Sequence, residues 1–170
     1  NGFLEIMSNS LTKIAYAIEP REVVQILNPL STDLEIMRQS LLFSGLEAIS
    51  YNQNRKSPDQ KLYEFGKVYR SIADRYEENQ RLGIFLSGAR SAENWGHKTE
   101  TTHFYHLKAT VDTLLQRLNL KQEVTISDLV NVHFEVGLAY SRNGKVLVQF
   151  GKLTKAVLKQ LDITGEVFYA

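Results

Sequence analysis

The sequence predicts an α+β fold, a largely antiparallel sheet flanked by helices. Three observations carry this. Arg142-Asn143-Gly144-Lys145 sits between two apolar runs, and Asn-Gly in that setting is the strongest short signal for a two-residue hairpin. Leu62 to Arg70 and Leu82 to Ser87 read as strands. Helical periodicities interrupt the strands irregularly, without the alternation of a βαβ array.

The elements follow in chain order. Phe3 to Met7 reads as a short strand after Gly2, and Thr12 to Tyr16 as a helical turn closed by Pro20. Val23 to Leu27 is apolar and β-branched, which predicts a strand stopped by Asn28-Pro29. Ser40 is placed to cap a helix in which Leu42, Leu46 and Ile49 form one apolar stripe. Gly45 lies inside that helix at a cost of about 1 kcal/mol against alanine, which points to close packing by another element. Ser57-Pro58-Asp59 predicts a turn. Gly66, central to the next strand, predicts a bulge or a close backbone approach. Glu93 to Thr102 reads as a polar loop around Trp95. Phe104, Leu107, Val111, Leu114, Leu115 and Leu118 keep helical spacing. Val124 to Ser127 predicts a strand, Thr154 a cap for a short helix ending at Leu161, and Val167 to Tyr169 a last strand.

With 170 residues and no repeat or linker, residues 1–170 read as one domain. The chain starts at Asn1 and is taken as excised from something longer. The formal charge of +1 gives no global attraction to nucleic acid or anionic lipid. No apolar run approaches the roughly 18–20 residues a bilayer requires, so no membrane association is expected. The absence of cysteine excludes thiolate metal sites, redox pairs and a thiol nucleophile, and suits a cytoplasmic location.

No phosphate-binding glycine loop and no Gly-x-Ser-x-Gly is present, and Leu86-Ser87-Gly88 lacks the first glycine. Glu77-Glu78 reads as a polar turn. Of His97, His103, His106 and His133, the pair His103 and His106 shares a helix face, with Glu100 as the near third ligand. A solvated helix end is the expected reading there, and no metal ligand is assigned. Arg55, Lys56, Lys61, Lys67 and Arg70, interleaved with Tyr63, Phe65 and Tyr69, read as a solvated sheet face, with an RNA platform as the other reading.

Taken together, several short patterns resemble one family. Gly2-Phe3-Leu4-Glu5-Ile6 with Asn9-Ser10-Leu11 is similar to the strand that ends motif 1 of class II aminoacyl-tRNA synthetases. Asn28-Pro29-Leu30-Ser31, then Met37 to Leu42, Gly45-Leu46, Asn52 and Arg55, resembles a stretch of bacterial phenylalanyl-tRNA synthetase β chains. Leu62 to Tyr69, Phe104 to Lys108, Gly144-Lys145 and Phe150 to Leu153 continue the likeness across nearly the whole chain. Leu153-Thr154-Lys155 and Glu135 to Ala139 depart from the family's pattern.

The resemblance implies a class II core-like domain that does no chemistry, in a tetramer of two α and two β chains whose α chain holds the active site. It implies that the holoenzyme uses ATP and magnesium to join phenylalanine to tRNA. The partners implied are the α chain, other β-chain domains and, through the holoenzyme, tRNA. For this segment it implies no cofactor and no catalytic residue. The strand Phe3 to Met7 and the helix Leu41 to Asn54 are expected at interfaces, with Phe3, Phe43, Tyr51 and Trp95 as candidate anchors. Class II enzymes hold the triphosphate with two arginines. Arg70 ends the motif 2-like strand, but Ile72 stands where an acid is usual; Arg142 opens a turn instead of a helix. Two alternatives stay open: a catalytically active divergent paralogue using Arg70, and a tRNA-binding module.

Overall fold

A computed structural model of the chain describes residues 2–73, 75–91, 95–96 and 99–170. Its main feature is a seven-stranded sheet in the order β1-β4-β5-β9-β8-β7-β6. These strands are β1 (Leu4–Glu5), β4 (Gln60–Ile72), β5 (Arg75–Ser87), β6 (Thr125–Asp128), β7 (Phe134–Arg142), β8 (Lys145–Leu153) and β9 (Val167–Tyr169). Among the described residues of this sheet, only β1 runs parallel to its neighbour, and every other strand pairing is antiparallel. A separate two-stranded ribbon joins β2 (Leu11–Thr12) to β3 (Ile36–Met37).

Strand alternation gives the sheet two apolar faces. On one, α1 (Leu42–Asn54) and α3 (Lys155–Lys159) cover Leu62, Phe85 and Leu153, with Leu46 and Ile49 fully buried. On the other, α2 (Phe104–Arg117) lays Leu107, Val111 and Leu115 over Ile84, Leu86, Phe150 and Phe168. Each such side chain contributes roughly 1.5–3 kcal/mol by leaving water.

Gly45 is where α1 meets the sheet: a β-carbon there would collide with the Phe85 ring. Gly66 is a close approach and not a bulge. The β4–β5 register runs unbroken from Gln60↔Ser87 to Ile72↔Arg75, and the Arg38 guanidinium lies where a β-carbon would stand. The predicted hairpin joins β7 to β8 through Asn143 and Gly144, whose φ of 50° and 73° are the left-handed values that a type I′ turn needs.

Several expectations are corrected. Val23 to Leu27 is not a strand: only Gln25 bridges to Ile36, and Leu27 is almost wholly exposed. Pro20 opens its own 3-10 turn, Pro20–Glu22, after the turn Ile14–Tyr16. Ser40 does not occupy the N-cap, which is Leu41, although its Oγ accepts from the Leu42 amide at 3.1 Å. Glu77 and Glu78 lie in β5, not in a turn, with Glu78 2.6 Å from Lys67 Nζ. Thr154 does cap α3, accepting from the Val157 amide.

Candidate functional site

Two regions of the sheet invite a functional reading. The first lies on the α1 side, where β3 leads Arg38 across β4. Arg38 and Glu64 are both buried, with Nη1 2.7 Å from Oε1. Ser8 Oγ sits 2.7 and 2.8 Å from the two carboxylate oxygens and accepts from Arg38 Nη1 at 2.7 Å. Arg38 Nε donates to the Lys67 carbonyl at 2.9 Å. The charges are thus paired, and Arg38 Nε and Nη1 and both Glu64 carboxylate oxygens are hydrogen-bonded, as a buried ion pair requires. Beside them the buried Gln39 accepts from the Ile18 and Glu19 amides and donates to the Glu19 carbonyl, fixing an irregular segment. Sequence reasoning took Arg38 only as part of a family pattern; the glycine at 66 was the signal that something crosses the strand.

Arg70 projects from the same face as Glu64 by strand alternation, and its Nη1 is held by Glu22 at 3.0 Å. Arg142 ends β7 opposite Lys145 in the hairpin, on the far side of the sheet order from β4 and β5. The two arginines weighed for a triphosphate are therefore not brought together.

The second region is a groove of about 580 Å³ between α2 and the opposite sheet face. Phe3, Phe65, Ile84 and Leu114 line its apolar part; Lys61, Arg90 and Arg117 stand at its edge. Phe65 is 60% exposed there. The basic residues of the stretch do not form one platform. Lys61 donates to the Arg90 carbonyl, Lys67 pairs with Glu78, Arg70 faces the other way, and Arg55 stacks over Tyr51 at 3.4 Å.

The four candidate anchors separate. Phe43 belongs to the core, stacked on Tyr16 at 4.4 Å and edge-on to His133 at 6.0 Å. Phe3 is half-buried in the groove wall, Tyr51 is 57% exposed on α1, and Trp95 is fully exposed.

At the start of α2, Glu100, His103 and His106 gather, with each histidine Nε2 3.6–3.7 Å from Glu100 Oε1. Arg90 donates to Glu100 Oε2 at 2.7 Å, and that hydrogen bond chiefly holds the carboxyl below its usual range. Partial burial lowers His106 below 6.5. His97 lies outside the described residues.

The fold is that of class II aminoacyl-tRNA synthetases: a pyrrolysyl-tRNA synthetase of Desulfitobacterium hafniense aligns over 99% of this chain and 57% of its own, with a TM-score of 0.73 at 12% identity. A second structure of a pyrrolysyl-tRNA synthetase from that organism aligns with a TM-score of 0.71 at 11% identity, over 99% of this chain and 59% of its own. The family model "Phenylalanyl tRNA synthetase beta chain CLM domain" matches residues 1–170. The chain is 41% identical to the phenylalanine–tRNA ligase beta subunit of Bacteroides thetaiotaomicron and 37% identical to that of Porphyromonas gingivalis. Each alignment covers 99% of this chain and 23% of the relative. The chain belongs to the phenylalanyl-tRNA synthetase β-chain CLM domain family, and spans about a quarter of the curated relatives it matches.

Proposed function

We propose that this chain is the non-catalytic core-like domain of a phenylalanyl-tRNA synthetase β chain, and that it supports assembly of the cytoplasmic holoenzyme that attaches phenylalanine to tRNA with ATP and magnesium. The carrying observation is how the charges on the would-be catalytic face are used. Arg70 is neutralised by Glu22, Arg38 is spent on Glu64 across Gly66, and Ile72 occupies the position where an acid would help hold a nucleotide. Transition-state stabilisation at a triphosphate requires free, aimed cations. What the domain offers instead is an apolar groove with exposed aromatic groups, the kind of surface an interface buries.

In this reading Phe3, Tyr51 and Trp95 are contact residues for the α chain or for neighbouring β-chain domains. The test is co-purification of the α chain with a β chain carrying this domain. Replacing an anchor, as in Phe3→Asp, is expected to weaken capture by more than about 30-fold, the scale of a buried hot spot losing about 2 kcal/mol. Unchanged capture by single and combined replacements at Phe3, Tyr51 and Trp95 would overturn the assignment.

A further inference from the structure

We propose that Glu100, His103 and His106 form a site for a divalent transition-metal ion of the zinc type, which clips the loop after β5 to the first turn of α2. The donor set is two imidazoles and one carboxylate, which suits Zn²⁺, Co²⁺ or Ni²⁺ better than the all-oxygen preference of Mg²⁺ or Ca²⁺. The three donor atoms already lie within 4.8 Å of one another, and both Nε2 to Oε1 separations are 3.6–3.7 Å. Tetrahedral bonds of 2.0–2.1 Å place ligand atoms about 3.3–3.4 Å apart, so these two edges close by a few tenths of an ångström.

The backbone that carries the ligands is fixed from both sides. The Glu100 carbonyl accepts from the Arg90 amide at 2.8 Å, and the Thr102 amide donates to the Gly88 carbonyl at 2.9 Å. Arg90 also holds Glu100 Oε2, which turns Oε1 toward the imidazoles; such outer contacts orient metal ligands. The rings stack at 3.7 Å with 25° between their planes, so rotation of the more exposed His103 is what converges their lone pairs. The His103 amide donates to His106 Nδ1 at 3.2 Å. Binding at His106 Nε2 moves the ring proton to Nδ1 and gives up that bond, and turning His103 gives up the other half of the capping box, in which its side chain accepts from the His106 backbone; both limit the affinity. Three protein donors at an exposed position leave the fourth to water, the arrangement of an open site.

The probe is Co²⁺ added to the purified 170-residue protein, read by its visible absorption, with Zn²⁺ and the melting temperature as a second readout. One equivalent of Co²⁺ is expected, with intense bands of low coordination number, and Zn²⁺ is expected to raise the melting temperature. His106→Ala and Glu100→Gln should each weaken Co²⁺ binding by more than about tenfold and remove the Zn²⁺ shift, while His133→Asn leaves both unchanged. These ligands are at the surface, and circular dichroism checks that the variants stay folded. No Co²⁺ uptake up to millimolar concentration, or uptake that His106→Ala and Glu100→Gln do not change, would overturn the proposal.

Discussion

Glu64→Gln removes a charge and keeps a shape, and this makes it the sharpest perturbation of the buried network. Arg38 would keep its bonds to the Lys67 carbonyl and Ser8 but would be left as an uncompensated cation, with a side chain only 6% exposed. Removing one partner of such a pair costs about 3–5 kcal/mol, a large share of the roughly 5–15 kcal/mol that holds a domain together. With a urea m-value of about 2 kcal/mol/M, the midpoint should fall by about 1.5–2.5 M. Urea unfolding followed by circular dichroism reads this directly. Arg38→Met combined with Glu64→Leu removes both charges and should recover most of the loss, giving a coupling energy of about 2 kcal/mol or more. A Glu64→Gln variant within about 0.5 kcal/mol of wild type would refute this account of the pair. So would a double variant costing the full sum of the singles.

Two further outcomes follow from the packing. Gly45→Ala gains helix propensity but drives a methyl group into the Phe85 ring, so a net loss of about 1–2 kcal/mol is expected in the same unfolding assay. His133 is held below its ordinary 6.5 by burial. The unfolded chain therefore binds more protons than the folded one below that pH. Stability is fully present above pH 6.5 and is lost as pH falls through the lowered value. Melting temperatures across pH 7.5 to 5 should show that loss, and His133→Leu should reduce it, leaving the part that His106 contributes.

The reach of the sequence follows the physics of each element. Asn143-Gly144 encodes its own turn, and the stripe from Phe104 to Leu115 faces a sheet, so local pattern and tertiary packing agree there; Leu118, past the end of α2, is exposed. Residues 75–81 were not legible as strand because that half of the β4–β5 hairpin is solvated throughout and carries no alternation. Val23 to Leu27 misled for the converse reason: its β-branched residues find no partner strand beyond a single bridge. The ribbon of β2 and β3 is two residues wide on each side, too short for any pattern. At the site, the residue types at Arg70, Ile72 and the helix-start histidines were readable. Their partners were not: Glu22 for Arg70 and Glu64 for Arg38 come from segments 48 and 26 residues away, brought close only by the fold.

The role proposed for this domain is assembly of a synthetase without activation of an amino acid. Phenylalanine-dependent ATP–pyrophosphate exchange by the folded chain, with Arg70→Ala alongside, tests it most directly. No exchange above background is expected from either protein. Exchange by the wild-type chain that disappears in Arg70→Ala would contradict it and make Arg70 the working cation of an active site.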